Sequence, residues 1–425
     1  MVYFKDYIKF VYRKKGVGFV LGDSRRALLR QPSFVKFWGS RMLSSSSFQM
    51  LSVAIGWQMY SLTHDAFSLG LVGLAQFVPM VLLTLVVGQV ADRFDRRRIV
   101  YLCQIIEACV AGLLLYGNLF GWLGREQILL AAMVLGACRA FEGPSSAALL
   151  PQLVPKSILQ KAIALSTSAG QTAQILGPSI GGLLYALGPT YVYSTATASL
   201  LVATILTWSI QSKKIERISE PVTLSSIFSG LVFVRRHPII LGTISLDLFA
   251  VLLGGATALL PIFAQDILKT GPFGLGLMRT APAVGALLMS IVLANFPLKK
   301  AIGPKLFAAL GVFGLATMLF ALSTNLYLSL FALLVIGASD VVSVVIRSSL
   351  VQLQTPDEMR GRVNAVNSLF IGTSNQLGEF ESGTLAGLMG AVPAALIGGI
   401  GTVIVAGLWM FLFPSLRKIR SLSES

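Results

Sequence analysis

The sequence predicts an all-α integral membrane protein of twelve transmembrane helices in two pseudo-symmetric six-helix bundles. Three observations predict it. Hydrophobic residues make up 55% of the 425 residues and charged residues only 12%, well below the share of about 25% usual in soluble domains. Twelve apolar runs are each long enough to cross a bilayer, for which roughly 20 residues suffice. Basic residues gather in alternate loops between those runs. The runs must be helical, because backbone groups in hydrocarbon have to be paired within the segment. The short alternating segments of an outer-membrane barrel are absent.

The chain opens with a basic segment, residues 1–33, which includes Lys14, Lys15, Arg25, Arg26 and Arg30. It is too basic and interrupted for a cleavable signal peptide. Tyr3, Phe4, Ile8 and Phe10 suit an interfacial amphipathic helix whose lysines meet headgroups; a start codon set too early is the alternative. The first bundle, 34–210, contains runs at about 35–61, 68–91, 99–122, 127–151, 162–185 and 190–210. A linker, 211–237, is the longest polar stretch and carries Lys213, Lys214, Glu216, Arg217, Glu220, Pro221 and Arg235. The second bundle, 238–413, contains runs at about 238–265, 273–296, 303–323, 326–350, 364–388 and 391–413, and residues 414–425 form a tail. The halves echo each other at a shift of 201 residues: Leu176-Gly177 and Gly182 recur as Leu377-Gly378 and Gly383, and Pro155 as Pro356. Two homologous halves imply a central cavity with alternating access.

Charge placement sets the orientation. Of 34 Lys and Arg, 28 fall in the N-terminal stretch up to Lys36, the linker, the tail and the basic stretches that follow runs two, four, eight and ten. The opposite side holds Arg125, Lys269 and Arg279, while Arg41, Arg139 and Arg347 fall inside runs. This asymmetry places both termini in the cytoplasm. It also accounts for the net charge of +16 without a nucleic-acid partner. Cys103, Cys109 and Cys138 lie in apolar runs and read as small core residues. Their spacing suggests neither a metal site nor a disulfide.

Three motifs carry a family resemblance. The loop Gly88-Gln-Val-Ala-Asp92-Arg93-Phe-Asp95-Arg96-Arg97-Arg98 matches G-x-x-x-D-R-x-G-R-R/K, with Asp95 where Gly is usual. Arg139-Ala-Phe-Glu142-Gly143 in the fourth helix matches R-x-x-Q/E-G. In the fifth, Gly170 to Gly182 matches G-x6-G-P-x-x-G-G through Gly177, Pro178, Gly181 and Gly182. The chain therefore resembles the major facilitator superfamily, and the last pattern resembles its antiporter branch. The stretches from Thr355 to Gly383 and from Asp247 to Ala264 resemble the enterobactin-exporter group, where Asp at position 95 is usual. The resemblance spans about residues 30–415 and implies proton-driven export of a catecholate siderophore or related compound. Multidrug efflux on the same fold is the alternative it leaves open.

Ionisable residues inside apolar helices are costly, so each is expected to face a cavity or a partner. Asp247 in the seventh helix has no basic neighbour in sequence, and burial disfavours a lone carboxylate's charged form, as a proton carrier needs. It is the first coupling candidate. Glu379 is second, followed by Glu142 and Asp340. Arg139 and Glu142 share one helix face and could neutralise each other; Asp340 and Arg347, two turns apart, carry the same ambiguity. Arg41, Glu107, Arg347 and Glu381 are substrate-binding candidates, with simple packing as the alternative for Glu107. The resemblance assigns gating to Gly88, Asp92, Arg93, Arg96, Arg139, Gly177, Pro178, Gly181 and Gly182. Asp92 would pair with an arginine or helix dipole of the other half. The arginines would anchor to anionic lipid, with a purely topogenic role expected for Arg97 and Arg98.

Other classes fit less well. The two histidines, His64 and His237, lie in loops, so no metal site is expected. No phosphate-binding loop, HExxH or nucleophile motif points to an enzyme, and no cofactor is implied. A non-transporting receptor or scaffold would not need charges in its core. The expected partners are a small-molecule substrate, protons and membrane lipid, the expected setting is a bacterial inner membrane, and the protein is expected to act as a monomer.

Overall fold

The computed structural model describes residues 28, 30–155, 158–211, 224–296, 298 and 300–421. The amphipathic helix expected near the N-terminus lies outside them. Among the described residues every regular element is helical. The long helices are α1 (Pro32–Thr63), α2 (Ala66–Arg93), α3 (Arg96–Leu119), α4 (Arg125–Leu153), α5 (Leu159–Leu187), α6 (Pro189–Trp208), α7 (Pro238–Leu253), α8 (Gly271–Asn295), α9 (Ile302–Leu322), α10 (Leu326–Gln354), α11 (Asp357–Met389) and α12 (Ala391–Leu412). Past α7 the chain continues through a 3-10 turn (Ala256–Leu259) and a π turn (Phe263–Ile267). The linker contains a helix, Leu224–Arg236, which its polarity did not announce.

Local chemistry sets the helix starts. Pro32, Pro189 and Pro238 open α1, α6 and α7, where a missing N–H costs nothing. Asp65 caps α2 by accepting from the N–H groups of Phe67 and Ser68, each at 3.0 Å. Asp95 caps α3 by accepting from Arg97 N–H at 3.0 Å. The departure from glycine at position 95 is thus a helix cap. Gly188 and Gly390 make the equivalent turns of the two halves with φ of 140° and 93°, conformations that favour glycine.

Among the described residues, nine helical stretches are long and apolar enough to cross a membrane by length and composition. The other three long helices, α1, α5 and α11, run to 32, 29 and 33 residues but are more polar. They carry Gln49, Ser52, Gln171, Gln174, Asn375, Gln376 and Glu379, all of which line the central cavity described below.

Helices α1–α6 pack mainly among themselves, as do α7–α12, and the two groups meet along α2 with α11 and α5 with α8. Both seams depend on glycine. A methyl on Gly182 would stand 2.8 Å from Gly276 Cα, and one on Gly383 would stand 2.5 Å from Gly70 Cα. Gly182 and Gly383 are the residues related by the 201-residue shift. At this end one hydrophobic cluster runs through both halves, from Leu51 and Tyr193 to Phe263 and Phe320. At the opposite end the cores are separate. Phe34, Phe37 and Leu149 pack in the first half, and Leu306, Phe307 and Trp409 in the second. Among the described residues the buried core is therefore continuous across the two halves at one end and separate at the other.

Two sequence expectations need correction. Arg279 is not an external loop charge; it lies within α8 and lines the central cavity. Cys103 and Cys138 are buried together, but Cys109 is exposed on the outer face of α3, because its position on the helix points away from the bundle.

Candidate functional site

Between the halves lies a cavity of about 570 Å³ lined by α1, α2 and α5 on one side and by the α7 extension, α8, α10 and α11 on the other. That volume suits a drug-sized molecule. Its charged residues are Arg279, Asp340 and Glu379. Arg279 donates from Nη1 to Ser52 Oγ at 2.5 Å, so an arginine of the second half is held by the first. Arg279 and Glu379 interact electrostatically. Glu379 reaches α2, where a methyl on Gly73 would stand 3.0 Å from its Oε2. The joined end is further secured by Tyr60 of α1, whose hydroxyl donates to Asp266 in the π turn. The unusual turn projects Asp266 toward the first half.

Asp247 does not stand alone. It forms a direct ion pair with Arg347 of α10, a partner one hundred residues away that local sequence could not disclose. Arg347 Nη2 also lies 3.7 Å from Asp340 Oδ1. Asp247 and Arg347 line a void of about 20 Å³, room for a single water. Asp340 lines both this void and the central cavity. It therefore joins the buried pair to the cavity.

The first half contains its own network. Arg139 pairs with Glu142 at 3.2 Å and approaches Glu107 at 4.0 Å, and its guanidinium lies 3.9 Å from the Phe48 ring centre. Glu142 also accepts from Ser44 at 2.7 Å and Gln104 at 3.2 Å. Gln104 in turn accepts from Thr207 at 3.0 Å. Arg41 lies within electrostatic reach of Glu142 and Arg139. Glu107 is only 1% exposed, so it belongs to this network and not to the lipid face. Arg139 and Glu142 of α4 tie α1 and α3 together, through Phe48 and Ser44 on one side and Glu107 and Gln104 on the other.

The structure thus brings Asp340 and Glu379 to the cavity and leaves Asp247 and Glu142 in ion pairs beside it. Arg41, Glu107, Arg347 and Glu381 do not line it; Glu381 accepts from Ser382 at 3.3 Å. Sequence reasoning passed over Arg279 and the glutamines of α1, α2 and α5. Arg279 had a signal, since it lay inside the run at 273–296. The glutamines had none beyond their presence in helices, because only packing shows which face meets the cavity.

The loop residues divide. Arg96 donates to Ala148 O at 2.5 Å and Arg97 to Ile210 O at 2.6 Å. These are carbonyls near the ends of α4 and α6, where cations are favourable. Arg97 therefore has a structural bond and not merely a topogenic charge. Gly88, Asp92 and Arg93 end α2, but their side-chain surroundings lie outside the described part. Of the helix 5 element, Gly177 and Gly181 face α1, where a methyl would stand 2.6 Å from Gln49 Cβ and 2.8 Å from Met50 Cα. Gly182 faces the other half, and Pro178 lines the cavity.

The family model described as transmembrane secretion effector matches residues 23–424. Enterobactin exporter EntS of Escherichia coli O1:K1 is 27% identical over 404 residues, covering 92% of this chain and 94% of that protein. EntS of Shigella boydii serotype 18 matches to the same extent. Among solved structures, nucleoside transporter NupG superposes with a TM-score of 0.69 at 15% identity, covering 90% of this chain and 99% of NupG. A bacterial homologue of the iron transporter ferroportin gives 0.66 at 18%, covering 90% and 99%. These two share the fold.

Proposed function

The chain belongs to the transmembrane secretion effector family of the major facilitator superfamily, and on that premise we propose that it exports a siderophore or related small organic compound in exchange for protons. Membership makes it a multi-pass secondary transporter and not an enzyme. The finer reading is supported by one observation above all: the cavity lies between two halves whose described cores merge at one end, and two carboxylates, Asp340 and Glu379, line it. The 27% identity to enterobactin exporters supports the cargo class.

In this reading all twelve long helices span a bacterial inner membrane, with both termini cytoplasmic and the protein acting as a monomer. The joined end, at the α5–α6 and α11–α12 turns, is then the outer end, and the cavity faces the cytoplasm. Cargo enters from inside. The halves rock about the α2–α11 and α5–α8 seams to open the outer end. Protons arriving from outside reload Glu379 and Asp340 as cargo leaves. Asp247, the first candidate from sequence, passes behind them because Arg347 already neutralises it.

Transport into inside-out vesicles under an imposed pH gradient tests the assignment. Glu379→Gln and Asp340→Asn should lose uphill accumulation while retaining downhill exchange. Accumulation at the wild-type level by both variants would move proton carriage to Glu142 or Asp247.

A further inference from the structure

We infer that the junction of the α8–α9 loop with the segment after α12 is a built site for an anionic phospholipid, which it holds by its phosphates. After α12 the chain makes a short turn, Pro414–Arg417, and packs back against the start of α9. Ile419 O accepts from Gly303 N–H at 3.0 Å. Gly303 permits the approach, since a methyl there would stand 2.3 Å from Leu416 O and 2.5 Å from Arg417 O. Leu416 and Ile419 are buried with Ile302, Leu306, Phe307 and Trp409. These two anchors fix the segment and leave Arg417, Lys418 and Arg420 exposed. Lys300 and Lys305 are exposed on the other side of the same junction.

The five cations have no counter-charge within the junction. Residues 296–306 and 414–421 contain no acid. None of the five forms a side-chain hydrogen bond or ion pair with another described residue. The first half is different. Its α2–α3 loop holds the equivalent place between the second and third helices of the bundle, and its arginines are used internally. Arg96 donates to Ala148 O, and Arg97 to Ile210 O just past α6, where Lys36 donates to Ser209 O. In the second half the docked segment follows the equivalent helix, and the cations are left open to an outside anion. A charge that served topology alone would need the correct side of the membrane, but neither buried anchors nor a backbone bond to α9.

Position in the fold selects the partner. Helices α8, α9 and α12 are each long and apolar enough to cross a membrane, so the junction at their ends stands at the edge of the hydrocarbon. Phe296 and Phe411 are each 75% exposed and Leu412 is 58% exposed. A phospholipid offers acyl chains to these side chains and phosphate to the cations, whereas a free anion would use the cations alone. Basic pockets at the ends of membrane helices suit headgroups with more than one phosphate, and five cations favour such a lipid. The site holds it whatever the cargo and whichever end faces the cytoplasm.

Native mass spectrometry of the full-length protein, titrated in detergent with cardiolipin or with phosphatidylcholine, tests the inference. Wild type should hold cardiolipin at least about tenfold more tightly than phosphatidylcholine. Each cation at an anionic lipid surface contributes roughly fivefold, so Arg417→Gln with Lys418→Gln should weaken cardiolipin binding by about tenfold or more. Arg235→Gln with Arg236→Gln removes two exposed charges from the linker helix and should weaken it by less than about twofold, because those charges lie outside the site. Gly303→Ala removes no charge but displaces the docked segment, and it should weaken binding as the Arg417 and Lys418 pair does. The glutamine variants replace exposed side chains, so they test the site even if Gly303→Ala fails to fold. Equal losses in the two double variants overturn the inference, because net charge would then account for the binding. Wild-type affinity in a folded Gly303→Ala variant also overturns it, since exposed charges would then suffice without the docked segment. Displacement of cardiolipin by an equal concentration of inorganic phosphate assigns the cations to a free anion and overturns the lipid site.

Discussion

Asp247 illustrates how a single residue's role depends on partners distant in sequence. Its carboxylate is paired with Arg347, which also stands near Asp340. Breaking such a pair leaves a buried uncompensated charge, whereas replacing both members with apolar groups is often nearly neutral. Asp247→Ala should therefore destabilise the protein, by less than the roughly 3–5 kcal/mol of a fully orphaned charge because Asp340 remains 3.7 Å from Arg347. The double variant Asp247→Leu with Arg347→Met should recover most of that loss. Thermal unfolding in nanodiscs checks both, and equal losses for the single and double variants would show that the pair contributes no coupling. Asp247 was legible in the sequence as a buried acid, but its partner was not. Arg347 lies in α10, and nothing along the chain says which face of α10 turns toward α7. Position 95 is the opposite case. Asp95 looked anomalous only against a motif, and a helix cap explains it from its immediate neighbours.

At the scale of elements, the two glycine crossings are the points where movement and packing meet. Gly182 against Gly276 and Gly383 against Gly70 let α5 approach α8 and α11 approach α2 more closely than any side chain permits. Close backbone approach of this kind is a common basis of helix association in membranes. Gly182→Leu or Gly383→Leu should hold the joined end apart. The expected result is a longer distance between spin labels placed at that end of the two halves, together with impaired transport. Gly143→Ala is the matched control, because no atom lies within 4 Å of the added methyl position. Unchanged label distances in both leucine variants would reduce the crossings to incidental contacts. The sequence pattern named Gly177, Gly181 and Gly182 together. Packing separates them: the first two serve α1 within the first half, and only Gly182 spans the seam.

At the scale of the whole molecule, the arrangement of charge predicts topology. A reporter active only in the cytoplasm should work when fused after Arg236 or after Ser425 and stay silent when fused near Arg125. Activity at Arg125 would overturn the twelve-span arrangement. Placing Arg279 inside α8 sharpens the basis for this, because the expected outer loops then retain only Arg125 and Lys269 among the basic residues first counted there. The three helices that fall short in apolarity, α1, α5 and α11, supply much of the polar cavity wall. Their shortfall follows from position, since a helix that gives part of its surface to a wet cavity needs less apolar surface than one facing lipid.

By itself the sequence determined the membrane class, the succession of apolar runs, the repeat of two halves and the resemblance to exporters of this superfamily. Each of these depends on composition, spacing or local motif, and such properties are written along the chain. Only the tertiary structure decided that Asp340 and Glu379 reach the cavity while Asp247 is neutralised, that Arg279 is an internal charge, and that glutamines from three helices share one wall. Those outcomes depend on the rotation of each helix about its axis and on which helices become neighbours. In lipid both follow from side-chain packing and buried polar pairing across the bundle, so no window of local sequence contains them.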